Sequence, residues 1–453
     1  MSEAPTVTAS NTELSVRDDV VETVNGDDDV ITIGAGATLT LNGFSDTIHG
    51  SDDTLTMGSP GPINTVDGFC DTIDIVDNSV VAVTGGGNTF TQANGLLTLD
   101  DAGDAADTLN GTHLAVTVLA GSTLYLNGSI DALTLGADCL LVANGDNTNF
   151  FGSDDRIFSS GATVGGDSVT GADNRIFVGA YSQLVADGNN NFIHSTSHSS
   201  LGVTGTGERL VGTGFWAWAT SGSDVFIGRN GANGAYDTLT ASDITARIAA
   251  DSNIILAGDD DTVGVRTGSN VYFVGTGLTA HFGQNSAVII NSNGETGGPD
   301  ILNGAYFSVT VISSATVEMS ALGASAQLAA DVTLTLQRSD NTIHAGSSDT
   351  ISILSGASNQ VVLAADDVIS DGGWASTFDV GGAVGATTLK NFGADPNGII
   401  DLLNGVGGYA TAQAAFAALT SDGAGGSMLS LGSNGAIDFA GATGLSAANF
   451  KIG

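Results

Sequence analysis

Basic side chains are nearly missing from this chain. Ten Lys and Arg stand against 49 acids in 453 residues, for a net charge of −39. Nucleic-acid recognition needs cations that replace phosphate counterions, so nucleic acid is excluded as a partner, and docking on an anionic membrane is disfavoured for the same reason. Proline is scarce at 5 residues while glycine reaches 65, a strand-and-turn balance, because proline removes ladder donors and glycine supplies corners. Glutamate is scarce as well: 43 of the acids are Asp and 6 are Glu. Solubility alone would use either acid, whereas turns and oxygen-rich calcium sites favour the short carboxylate. The two cysteines, Cys70 and Cys139, form neither a disulfide framework nor a metal site by spacing. Small buried side chains are the expected reading of both, with a bridge outside the cell left open. No apolar run is long enough to span a bilayer, so direct membrane insertion is not expected. The opening MSEAPTVTAS lacks the basic and apolar regions of a secretory signal, so the chain is expected to be cytosolic or exported by a route that does not read its N-terminus.

What is present is a phrase, repeated. The pattern Gly-x-x-Asp-[Thr/Val]-[Ile/Leu/Val] occurs at Gly26, Gly43, Gly50, Gly68, Gly234, Gly258 and Gly346, with looser copies at Gly152, Gly171, Gly188 and Gly297. Gly26 to Gly43 is 17 residues, Gly50 to Gly68 is 18 and Gly152 to Gly171 is 19. A glycine turn followed by a short alternating strand at this period is one rung of a solenoid, and no rung buries its apolar side alone. With 42% hydrophobic residues the stack has enough apolar side chains for a continuous core. The expected fold is therefore all-β, a long parallel β-solenoid over residues 25–386 with a small C-terminal β-plus-helix module over 387–453. Residues 1–24 are expected to be an arm, a capping strand or a strand donated to a neighbour.

Three stretches depart from the phrase. Residues 144–193 are rich in Asn, and stacked Asn side chains at a corner would hydrogen-bond along the coil. Residues 194–220 carry His194, His198, Trp216 and Trp218 and are expected to form an irregular insertion. Two His four apart suit a zinc helix, but the Ser, Thr and Gly around them argue against a helix there. Trp216 and Trp218 are either core or an exposed contact surface for another protomer or for sugar. The Ala-rich stretch 317–330 is ambiguous between a strand and a helical turn. In the last part, Tyr409 to Leu419 has the strongest helical spacing in the sequence.

The terminal module, with Asn391-Phe392, Ile400-Asp401-Leu402, an Ala-rich helix, Gly426-Ser427-Met428-Leu429 and Leu445 to Phe450, resembles the C-terminal secretion module of bacterial type I-exported proteins. That resemblance implies export by an ABC-transporter complex that reads the C-terminus. The acidic rungs are similar to the calcium-binding repeats of the RTX group, Gly-Gly-x-Gly-x-Asp-x-hydrophobic-x. Asp53, Asp261 and Asp349 take the acidic position, and Leu55, Val263 and Ile351 the apolar one, with the glycine one place early. The resemblance implies Ca2+, with ligands expected at the densest turns: Asp27, Asp28, Asp29, Asp46, Asp52, Asp53, Asp71, Asp259, Asp260, Asp261, Asp340 and Asp349.

Neither a His-Glu-x-x-His helix nor a Gly-x-Ser-x-Gly elbow occurs, and no acid pair stands out from the structural Asp population, so no enzymatic activity is expected. The expected function is that of a secreted, calcium-stabilised structural protein at the cell surface, self-assembling end to end or laterally into a filament or surface layer. An adhesin binding a surface glycan through Trp216 and Trp218 is the alternative. The Thr-x-Thr pairs are too unevenly spaced for an ice-binding rank.

Overall fold

The structure, a computed structural model, describes residues 5–43, 45–57, 64–69, 71–75, 80–100, 106–129, 132–144, 149–159, 166–196, 198–228, 236–292 and 297–453. Met1 to Ala4, Cys70 and Gly234 lie outside the described residues. The chain divides into two units, Met1–Trp218 and Ala219–Gly453. Each is a parallel β-solenoid, together about 20 turns.

Each turn contributes one short strand to each of two faces, and each strand pairs in parallel with its counterpart one turn later. In the first unit Val21–Asn25 pairs with Thr38–Asn42 on one face, and Val30–Ile33 with Thr47–Ser51 on the other. Two long strands, Thr89–Asp100 and Asp107–Val118, serve both faces at once. In the second unit Thr245–Ile248 pairs with Thr262–Val265, and Asn253–Ala257 with Asn270–Val274.

The burial pattern follows the period of two that a strand imposes. Along Val30–Ile33 exposure alternates, with Ile31 and Ile33 inside. Stacking then brings like side chains over like: Leu39 lies beside Leu55, Leu55 beside Ile73, and Ile157 beside Ile176, all essentially buried. The core of each unit is a narrow seam of Val, Ile, Leu, Phe and Ala between the faces. Cys139 belongs to it, 2% exposed, with its Sγ donating to the Leu119 carbonyl.

Several expectations are corrected. Residues 194–220 are no insertion. Phe192–Ser195, Ser200–Thr204 and Glu208–Gly212 are regular strands, the first in register with the rungs on either side of it. Their inward residues, Ile193, Leu201, Leu210, Phe215 and Ala217, keep the apolar alternation, while the unusual side chains point outward. The Ala-rich stretch is strand, Thr316–Leu322 and Ser325–Gln327, with Ala321, Ala324 and Ala326 filling the seam. Within 1–24, Thr6–Thr8 and Glu13–Val16 are already rungs, paired with Val21–Asn25 and Val30–Ile33.

The segment 387–453 is not a separate body. Its strand Gly385–Lys390 begins before the expected boundary and stacks on Val368–Asp371, while Ile399–Leu402 stacks on Thr377–Val380. Gly435–Ala440 and Phe450–Ile452 then add one more parallel strand to each face. Between these rungs the chain makes an excursion containing the helix Ala412–Ala417, capped by the Thr411 hydroxyl, and a hairpin whose strand Ser427–Ser430 runs antiparallel to Gly435–Ala440. Phe378, Phe392, Phe439 and Phe450 form a chain of ring contacts at 5.6–6.1 Å that closes the core here.

Candidate functional site

The acidic corners are the most repeated local structure, and each is built the same way. In Gly26-Asp27-Asp28-Asp29 the third residue has φ 59° and is exposed, while the fourth is 1% exposed. The same division holds at Gly50 (Asp52 φ 63°, Asp53 buried), Gly258 (Asp260 φ 59°, Asp261 buried) and Gly346 (Ser348 φ 64°, Asp349 buried). Asp and Asn tolerate this left-handed conformation because their short polar side chains bond locally. Neighbouring acids in the sequence are thereby sent to opposite sides of the chain.

Glycine is required by the stacking. A Cβ on Gly43 would lie 1.6 Å from the Gly26 carbonyl oxygen of the previous rung and 2.7 Å from Oδ2 of Asp46. On Gly68 the corresponding distances are 2.1 Å to the Gly50 oxygen and 2.3 Å to Asp71 Oδ2. The motif's first and fourth residues are thus one unit: the glycine leaves the space into which the carboxylate folds.

The buried carboxylates form ladders. The backbone N–H of Thr12 donates to Asp29 Oδ1 (2.9 Å), that of Asp29 to Asp46 Oδ1 (2.8 Å), and that of Asp46 to Asn64 Oδ1 (3.0 Å). A second ladder climbs from Ala37 through Asp53, Asp71 and Asn88 at 2.9–3.1 Å. A third runs from Cys139 through Asp155, Asn174 and Asn191 to Glu208 at 3.0–3.3 Å. In the second unit Ile244 donates to Asp261, and Val332 to Asp349, which donates to Asp367. Each bond satisfies a buried N–H that the turn removes from the strand ladder.

The second atom of each side chain separates the two residue types. Asn174 Nδ2 donates to the Gly152 carbonyl (3.1 Å), and Asn88 Nδ2 to Gly85 (3.0 Å) and Gly68 (3.4 Å). Where the residue is Asp, Oδ2 has no hydrogen to give. In Asp29, Asp46, Asp53, Asp155 and Asp261 that oxygen is buried without a hydrogen-bond partner. Burial, reinforced by neighbouring carboxylates and opposed by the backbone N–H, pushes Asp46, Asp71 and Asp155 up to about 6 and Asp261 up to about 7. Burial alone, against the Asn191 contacts, takes Glu208 up to about 7. Asp53 and Asp349 are raised for the same leading reason. A proton on Oδ2 supplies the donor that an Asn amide supplies in the same place.

The expected calcium ligands are distributed by this geometry. Asp29, Asp46, Asp53, Asp71, Asp261 and Asp349 line the inner side of the corners, one per rung within a ladder. Asp28, Asp52, Asp260 and Asp340 stand on the outer side with positive φ. Asp27 and Asp259 occupy the second place of the corner, where Asp259 Oδ1 accepts from the Thr276 N–H (2.8 Å) and hydroxyl (3.1 Å). Among the described residues no three acidic, His or Cys side chains gather into a group able to hold a metal ion. The corners do not fit a closed cage of about six to eight oxygens built from side chains. They form columns of single carboxylates.

Trp216 and Trp218 are outward, 62% and 43% exposed. Trp218 lies flat over Gly202, where a Cβ would come within 2.2 Å of the ring. His194 is an outward strand residue and His198 is a corner residue with φ 64° stacked on Tyr181 at 5.0 Å, so the two are not set on a helix as a zinc pair. Sequence reasoning missed an outward strip containing Arg156, Phe158, Arg175 and Phe177. Its signal was the tripeptide Arg-Ile-Phe, present at both 156–158 and 175–177 directly after an acidic corner. No protein-family model matches this chain, and no curated protein sequence matches it.

Proposed function

We propose that this chain is a secreted structural protein of the cell surface, assembling from many copies into a filament or layer, with no catalytic role. The observation that carries the reading is the repeat itself: about 20 turns of parallel β-solenoid, each presenting its strands and exposed corner residues again one rung later. A surface that repeats at a fixed pitch offers the same contact many times over, which suits an assembly of identical copies.

The RTX likeness of the corners and the secretion-module likeness of the C-terminal residues support export through a type I ABC-transporter complex. In this reading calcium is a counterion to the outer carboxylates Asp28, Asp52, Asp260 and Asp340, lowering the self-repulsion of a chain with net charge −39. Electron microscopy and light scattering of the purified chain, with calcium and with EDTA, test the proposal. Ordered assemblies that disperse in EDTA are expected; dispersed monomers in both conditions would overturn it. The exposure of Trp216 and Trp218 favours a second reading, an adhesin for a surface glycan, and glycan-array binding lost in Trp216→Ala/Trp218→Ala would support that instead.

A further inference from the structure

One outward strip of the first unit differs from the rest of this acidic chain. On successive rungs of one face Arg156 lies beside Arg175, Arg175 beside Phe192, and Phe192 beside Arg209. Two residues along the same strands, Phe158 lies beside Phe177 and Phe177 beside His194. The Phe158 and Phe177 rings stack at 4.5 Å and 6°, and the Arg209 guanidinium lies 5.2 Å from the centre of the Phe192 ring. Leu140, Val142 and Thr196 extend the strip into a shallow apolar groove of about 450 Å³. Three of the chain's eight arginines are therefore on four adjacent rungs, beside exposed aromatic carbon. Among the described residues neither Arg156 nor Arg175 makes an ion pair, although Asp154 and Asp173 stand on the corners just before them.

We infer that this Arg–Phe strip is the lateral docking face for a second copy of the chain, which meets it with a column of outer corner aspartates. The inference rests on the assembly reading above and names its contact. Charge complementarity selects the occupant. Two copies at −39 each repel over most of their surfaces, and this strip is where a cationic and apolar patch offsets that repulsion. A twofold contact centred on the arginine column would set guanidinium against guanidinium, whereas an aspartate column on the other copy meets it with opposite charge. The contact is heterologous, and a heterologous contact whose rotation does not close a ring propagates, as a layer or filament requires. The spacing also agrees. The strip carries its cations at the rung pitch, about 4.8 Å between neighbouring strands, and where successive rungs share an outer aspartate those acids stand at the same pitch. Asp138, Asp154 and Asp173 form one such run and Asp243 and Asp260 another, all exposed with positive φ. The Phe column supplies the apolar contact that holds the partners once charge has aligned them. Its rings are stacked on one another, which leaves their edges outward and suits protein side chains better than the flat face of a sugar.

The test is the concentration dependence of assembly of the full chain, by light scattering at low and high salt, for wild type, Arg156→Glu/Arg175→Glu and Phe158→Ser. Circular dichroism verifies that each variant folds; all three positions point outward. The double variant is expected to raise the concentration needed for assembly by at least about tenfold, Phe158→Ser to raise it less, and salt to weaken wild type more than the double variant. Wild type and the double variant assembling alike would overturn this face while leaving the assembly reading intact. Wild type monomeric under every condition would remove the assembly reading and this inference with it. A monomer that binds a polyuronate through the same arginines would give the strip to a glycan and contradict the proposal.

Discussion

Two stretches of the first unit solve the same structural problem with different chemistry. At the corners from Gly26 to Asp71 the buried residue is Asp in most rungs; from Gly171 to Asn191 it is Asn. In both, the side-chain oxygen accepts the N–H of the rung before at 2.8–3.1 Å. The Asn corners also use their amide, Asn174 donating to the Gly152 carbonyl and Asn191 to Glu208 Oε1, whereas several Asp corners leave a buried oxygen without a partner. The hydrogen-bond ladder therefore builds the corner, and the charge on an Asp rung is additional to what the fold needs. An Asp rung is a corner whose buried carboxyl favours a proton; an Asn rung carries its donor without one.

The largest effect expected belongs to what the two stretches share. Gly68→Val places a Cβ about 2 Å from backbone oxygen of the adjacent rung, where nothing flexible yields. It should cost more than about 3 kcal/mol and open the neighbouring rungs in hydrogen exchange. A variant as protected as wild type would mean that the corners do not stack as described.

Next is the exchange of one chemistry for the other. Asn174→Asp puts a carboxylate between Asp155 and Asn191 and removes the donor to Gly152, so a loss of roughly 1–3 kcal/mol at pH about 8 is expected, shrinking in mild acid. Asp46→Asn makes the opposite change and should be neutral or stabilising at that pH. Denaturant titrations measure both, and a large loss for Asp46→Asn would show that the charge itself is required.

The pH dependence follows with its sign. Carboxyls raised by burial from 3.8 to about 6 or 7 hold more protons in the folded than in the unfolded chain across that interval. Their contribution to stability is therefore fully present below the unfolded value and is lost as pH rises through the folded one. Without divalent cations the melting temperature should fall between about pH 4 and 7 and then level off. The smallest effect is expected outside the corner. Asp52→Asn, exposed and already in a conformation that Asn favours, should stay within about 0.5 kcal/mol.

The rungs were legible because glycine, the buried acid and the alternating strand recur together, and each is needed by the same stacked turn. The Asn ladders were legible for the same reason. The division of roles within a corner was not legible, because Asp27, Asp28 and Asp29 are adjacent in sequence while a left-handed residue sends Asp28 outward and Asp29 inward. The supposed insertion at 194–220 drew attention through Trp and His, which are outward residues free to vary; the inward Phe215 and Ala217 held the pattern. At 317–330 the Ala content left strand and helical turn open; a narrow seam also demands small side chains, and packing decides for strand. The boundary at 387 was placed where composition changes, although the backbone pairing continues through Gly385–Lys390.

The most direct test is the unfolding midpoint of wild type and of Asp46→Asn/Asp155→Asn, measured in EDTA from about pH 4 to pH 8. If buried corner acids act as hydrogen-bonding posts equivalent to Asn, wild type loses stability as pH rises, and the double variant changes less with pH and is at least as stable at pH 8. A wild type that gains stability with pH, alongside a double variant that is weaker at every pH, would contradict that account.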